Sequence, residues 1–194
     1  AILMGGTGKD ITLWKSADNG STWTTKIIDS FEVAAFNDQV LPDTPATCDG
    51  TVNVRLDANG TAHCFWAELF MRNPTEGDNT YNVYLSSSNA INYWNENMAY
   101  GKFKRIGYAP DLNGDTVVDP GTVDAGSRYG NSAIATMPYA TFDNTGKIFA
   151  IYSALSEGDV LSGHTYRDIY CVYSADSGKT WSTPRNLTAW LGFN

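Results

Sequence analysis

The 194-residue chain contains no run of about 20 apolar residues, the length a membrane-crossing helix requires, so no membrane span is expected. Basic residues are sparse, with 13 Lys and Arg against 21 Asp and Glu and a formal net charge of −8. Phosphate recognition wants clustered Lys and Arg, so nucleic acid is not an expected partner. Histidine occurs only at His63 and His164, and two scattered imidazoles make neither a metal set nor a catalytic triad. His63 adjoins Cys64 and reads as a packing residue. Cysteine is odd in number, at Cys48, Cys64 and Cys171, which gives no disulfide framework and no zinc spacing. All three thiols are expected to stay free, as small buried apolar groups.

Aromatics make up 13% of the chain, beside 18 glycines, a mixture suited to strands joined by tight turns. Ser16-Ala17-Asp18-Asn19-Gly20-Ser21-Thr22-Trp23 recurs as Ser174-Ala175-Asp176-Ser177-Gly178-Lys179-Thr180-Trp181. Each S-A-D-x-G-x-T-W octet follows an alternating stretch that reads as a strand, so a repeat architecture is expected. In such a turn the Asp carboxylate accepts hydrogen bonds from backbone N–H groups of its own loop. Gly20 and Gly178 supply the positive φ. Thr22 and Trp23, or Thr180 and Trp181, open the next strand. Asp18 and Asp176 are therefore expected to be structural. A weaker copy, Tyr84 to Trp94, keeps a strand, a polar turn and the Trp but neither the Asp nor the Gly.

Asp57-Ala58-Asn59-Gly60 and Asp143-Asn144-Thr145-Gly146 each join two apolar runs and read as hairpin turns. Gly60 and Gly146 lie 86 residues apart, and Trp94 and Trp181 lie 87 apart. The shared period predicts a repeating four-stranded antiparallel unit.

The two octets resemble the Asp box, or BNR repeat, of the sialidase-like β-propellers. The resemblance implies an all-β fold built of four-stranded antiparallel blades. On that reading residues 1–194 form a single β-propeller segment: a partial first blade at 1–29, a second at 51–106, an insertion loop at 107–136 and a third blade at 137–187. Strands of the second blade are expected near 51–57, 61–69, 81–87 and 92–106. About three blades are present, whereas propellers close with roughly 4–8. The chain thus reads as part of a larger propeller, completed by missing blades or by partner chains.

Strand alternation places both octets and both D-x-x-G turns at one end of the blades. The long connections, near 30–50, 70–80, 107–136 and 155–167, fall at the other. Long loops on a rigid scaffold are where binding residues concentrate, and in the sialidase-like families that is also the active-site face. The candidate ligand residues there are Arg72, Arg128, Tyr129, His164 and Arg167.

In the insertion, Asp111, Asn113, Asp115 and Asp119 stand at relative positions 1, 3, 5 and 9, with the Val117 carbonyl at 7. Calcium takes hard oxygen donors at this kind of spacing. The segment resembles the D-x-N-x-D loops of EF-hand and dockerin type. It departs from them at position 6, where Thr116 replaces Gly, and at position 12, where Thr122 replaces Glu. A bound Ca²⁺ is expected to order the insertion; no organic cofactor is expected.

Sialidase-like hydrolases set three arginines on the substrate carboxylate beside a Tyr nucleophile with its Glu and an Asp acid/base. The residue types are here, including Glu68, Tyr129, Asp159 and Asp168, but there is no F-R-I-P-like motif for the first arginine. No motif marks a nucleophile, and no residue is expected to be catalytic. The expected function is a secreted or cell-surface module that holds a glycan or a protein on its long-loop face, in an extracellular, cell-surface or periplasmic setting. The alternative is part of an exo-glycosidase of sialidase type whose remaining site residues lie outside this chain.

Overall fold

The computed structural model describes residues 1–31, 45–72, 82–84, 88–116, 118, 133–161 and 164–189. Among them there is no helix, and the chain is all-β. The strands are β1 (Ile2–Gly6), β2 (Lys9–Lys15), β3 (Thr24–Asp29), β4 (Ala46–Leu56), β5 (Ala62–Arg72), β6 (Asn82–Tyr84), β7 (Ile91–Asn95), β8 (Lys104–Gly107), β9 (Ala135–Phe142), β10 (Ile148–Leu161), β11 (His164–Ser174) and β12 (Arg185–Asn186). They form three antiparallel sheets: β1-β2-β3, then β4-β5-β7-β8 with β6 also on β5, then β9-β10-β11-β12. Among the described residues the three sheets do not close on one another.

The second sheet departs from the expected strands. Its third strand is β7 at Ile91–Asn95, preceded by the short β6, and its fourth is β8 at Lys104–Gly107. Trp94 therefore lies before the connecting turn, not after it, and the Tyr84–Trp94 segment is not a third octet. The polar residues that imitate a turn there have another task. Ser88 Oγ accepts the Phe70 N–H (2.9 Å), and Asn89 bonds both backbone groups of Ala109 (2.7 and 3.0 Å).

The second sheet is buried on both faces. Cys64, Trp66 and Trp94 pack against Leu3, Ile11, Leu13 and Ile28 of the first sheet. Phe65, Ala67, Ile91 and Tyr93 pack against Ala150, Tyr152, Tyr170 and Val172 of the third. Successive side chains of a strand point to opposite faces, so a strand covered on both sides reads as a continuous apolar run. Ala62 to Leu69 has that character, broken only by His63 and Glu68. The outer sheets alternate instead: Leu3, Leu13 and Ile28 are buried while Ile2, Met4, Trp14 and Ile27 are exposed. Burying a Leu-sized side chain contributes about 1.5–3 kcal/mol, so the two seams account for much of the stability.

The first strands of neighbouring sheets are also tied by polar contacts. Gly8 N–H donates to Thr47 Oγ1 (2.8 Å), which donates to the Gly6 carbonyl (3.2 Å). At the other seam, Asp49 Oδ2 accepts Ala133 N–H (3.1 Å) and Thr136 Oγ1 (2.5 Å). Arg55 Nε donates to the Ala140 carbonyl (2.7 Å).

Candidate functional site

The two octets have the same internal bonding. In the first, the Ser16 hydroxyl donates to Asp18 Oδ1 (2.8 Å) and accepts Gly20 N–H (2.8 Å). Asp18 then accepts Thr22 N–H on Oδ1 (2.8 Å) and the Thr22 hydroxyl on Oδ2 (2.6 Å). Ser174, Asp176, Gly178 and Thr180 repeat these four distances. The Thr22 hydroxyl, aided by Thr22 N–H and Ser16, holds the Asp18 carboxyl down at about 2. The Thr180 hydroxyl and N–H hold Asp176 well below the usual carboxylate range. A carboxylate so bound is a poor proton donor near neutral pH and serves as the turn's internal anchor.

The surroundings of the two turns differ. Trp23 is exposed, and its indole N–H donates to the Gly20 carbonyl (3.1 Å). Trp181 packs edge-on against Tyr93 and Phe65 of the second sheet, with ring centroids at 5.0 and 6.2 Å.

Beneath the second octet lies a polar cluster that the sequence did not signal. His63 is buried and within 2.8 Å of Tyr93 Oη through Nδ1, and its Nε2 lies 3.5 Å from Asp57 Oδ2. Tyr93 Oη accepts Asn95 Nδ2 (2.8 Å) and reaches the Ser177 carbonyl only at 3.4 Å. The closer acceptor for the Tyr93 proton is His63 Nδ1, which assigns the neutral imidazole proton to Nε2. Among the described residues that nitrogen has no well-placed hydrogen-bond partner, Asp57 Oδ2 standing at 3.5 Å. Burial depresses the His63 pKa, against the raising effect of Asp57. Burial also raises the Tyr93 hydroxyl to about 12.

At the opposite sheet ends, Asp111, Asp115 and Glu157 bring carboxylate oxygens within 4.8 Å of one another. Glu157, from β10, is a member that the sequence reading missed; its signal is an acid at the end of the apolar run 148–155. Glu157 Oε2 accepts the N–H groups of Leu112 (2.5 Å) and Asn113 (3.2 Å), while Oε1 accepts Asn113 Nδ2 (3.1 Å). Asp111 accepts Gly114 N–H (2.7 Å) and Thr116 N–H (2.8 Å). Thr116 has φ of 74°, so a β-branched residue occupies the left-handed position where the calcium loops have glycine. Val117 and Asp119 lie outside the described residues.

Among the candidate ligand residues, Arg128 and Tyr129 also lie outside the described residues. Arg72 ends β5 opposite Asn82, and His164 begins β11 opposite Leu161. Arg167 is half-buried and donates to the carbonyls of Ala133 and Ile134, both at 2.8 Å. Its guanidinium therefore ties β11 to the entry of β9. Arg105 pairs with buried Glu68 (2.9 Å), which is also 3.4 Å from Asn92 Nδ2. Arg55, Arg105 and Arg167 have separate partners: the Ala140 carbonyl, the Glu68 carboxylate, and the Ala133 and Ile134 carbonyls. No protein-family model matches the sequence, and no curated protein matches it.

Proposed function

We propose that this chain is a secreted or cell-surface β-propeller segment that acts as a binding or scaffold module, taking a glycan or a protein at the sheet ends that carry the long connections. The bonding of the octets carries this reading. Both repeated carboxylates are spent inside their own turns, and Arg167 is engaged by backbone carbonyls, so the repeats build scaffold and leave recognition to the opposite end. The proposal keeps the propeller reading of the octets and an extracellular, cell-surface or periplasmic setting.

The loop at 111–119 is proposed to hold Ca²⁺. Asp111, Asp115 and Glu157 offer carboxylate oxygens, the donor type a hard cation takes, while Asn113 points its Nδ2 at Asp115 and Glu157 and would have to turn to offer its oxygen. Bound calcium would supply charge that fixes the insertion beside β10. Calorimetry with CaCl₂ on the wild type and on Asp115→Ala tests this part. Heat in the wild type that Asp115→Ala loses supports it, and no heat in the wild type removes it.

The binding reading is tested on a glycan array with the purified protein, with sialoside hydrolysis assayed in parallel. Saturable binding without turnover supports the module. Turnover of a sialoside would favour the alternative, part of an exo-glycosidase of sialidase type. Neither binding nor turnover would remove the glycan reading and leave a protein ligand or a purely scaffolding role.

A further inference from the structure

Each sheet carries a row of direct cross-strand partners that points toward the sheet after it. In the first sheet the row is Leu3, Leu13 and Lys26. In the second it is Phe65, Tyr93 and Lys104. In the third it is Ile151, Cys171 and Arg185. Every row ends on a cation. In the first two, that cation crosses the seam. Lys26 Nζ sits 4.7 Å from the ring centroid of Trp94, and Lys104 Nζ donates to the carbonyls of Gly178 (3.2 Å) and Lys179. The apolar members of those two rows are buried. In the third row Ile151 is 38% exposed and Arg185 is exposed.

The surface that the third sheet offers to the one before it has a counterpart in the first sheet, though not in the second. The third sheet offers its octet to the second, and there Gly178 and Trp181 lie on Tyr93. The first sheet has the same octet with the same bonds, but Gly20 and Trp23 are uncovered, and Met4, Trp14 and Ile27 are exposed beside them. The two free faces are therefore unlike and complementary. One presents an octet, and the other is a row of the kind that receives one.

We propose that a second copy of this chain docks head to tail, with its first sheet seated on the third sheet of the preceding copy. The Gly20 turn lies over the Ile151–Cys171 pair, as Gly178 lies over Tyr93. The Arg185 guanidinium donates to the Gly20 and Ser21 carbonyls, as Lys104 does to those of Gly178 and Lys179. The contact continues the seams already present in the chain and covers apolar side chains that are otherwise left in water. Because its two sides differ, the interface is heterologous, and it builds a ring or an open row according to the rotation per copy. The inference rests on the sheet packing and not on the ligand-binding reading.

Sedimentation velocity tests it. The wild type is expected to self-associate, with a Kd on the order of micromolar. Trp14→Asp spoils the presenting face and Ile151→Asp the receiving face. Each variant alone should be monomeric, with association weakened at least about 100-fold. Mixed in equal amounts, the two variants should form a 1:1 dimer and go no further, because only one intact pair of faces remains. Circular dichroism should show both variants folded, since both positions are at the surface. A monomeric wild type, assembly of either variant alone, or a mixture that stays monomeric would each overturn the proposal. A monomeric wild type would assign the faces to a different protein or to further sheets of the same polypeptide.

Discussion

Tyr93 Oη occupies the space where a side chain at Gly178 would begin. A Cβ built there would stand 2.0 Å from Oη and 2.4 Å from Cζ. Gly178 also has φ of 84°. Glycine is required twice over, once by the backbone and once by the neighbouring sheet. Its counterpart Gly20, at φ of 91°, meets only Trp23 Cζ2, at 3.8 Å.

Gly178→Ala is expected to cost about 2–4 kcal/mol, combining positive-φ strain with overpacking of the seam. Gly20→Ala carries the strain alone, about 1–2 kcal/mol. Urea denaturation of both variants in dilute solution measures the difference. Equal losses would mean that the octet does not bear on Tyr93.

As pH falls below about 6.5 the protein should lose stability through His63. Its folded pKa lies below the ordinary 6.5 because burial disfavours the imidazolium. The fold holds the neutral form, so this contribution is complete above about 6.5 and is lost as pH falls through the folded value. The groups facing His63 are Asp57, Glu96 and the Tyr93 hydroxyl. Asp57 and Glu96 are both net lowered in the fold, against the raising effect of burial, by hydrogen bonds from Thr61 N–H and from Lys15 respectively. Their contributions fade only at lower pH, below their ordinary 3.8 and 4.5. Thermal melts of His63→Gln should depend less on pH below about 6.5 than those of the wild type. An unchanged slope in His63→Gln would sink this assignment.

The thiols should separate by reactivity. Burial raises the Cys48 thiol to about 12, and raises Cys64 further. Cys171 is raised less and is only half-buried. Thiolate is the reactive form. A disulfide reagent added to native protein in dilute solution, where copies are apart, should modify Cys171 first, and all three only after denaturation. Rapid native labelling of Cys64 would contradict the packed seam between the first two sheets.

Asp18→Asn and Asp176→Asn each place an amide where a carboxylate oxygen now accepts a threonine hydroxyl. Both should lower Tm, and neither should change ligand binding at the opposite sheet ends. Loss of binding by either variant with Tm retained would give the octets a recognition role that their bonding does not predict.

The octets were legible because the bonds that shape each turn run within its own eight residues, and the sequence carries all eight. Both D-x-x-G hairpins were readable for the same reason: Asp57 accepts Asn59 and Thr61 N–H, and Asp143 accepts Thr145 and Lys147 N–H. The strands of the second sheet were harder. With both faces buried, Ile91–Asn95 has no alternation to mark it as a strand, and the Asn and Ser residues before it copied a turn while satisfying backbone groups of β5 and of Ala109, just past β8. Glu157 escaped because its partners lie 44 and 45 residues away. His63 and Tyr93 lie 30 apart and become one cluster only when β5 pairs with β7.

The double covering of the second sheet has a consequence for amide exchange. Every route from solvent to the backbone of Phe65, Trp66 or Tyr93 passes through a neighbouring sheet, so local fraying cannot expose these amides. Their exchange should follow separation of the layers or complete unfolding, the slowest class of opening. The amides of β1 and β3, with one face in water, can open strand by strand. One short chain would thus show two exchange regimes, divided by sheet and not by position in the sequence.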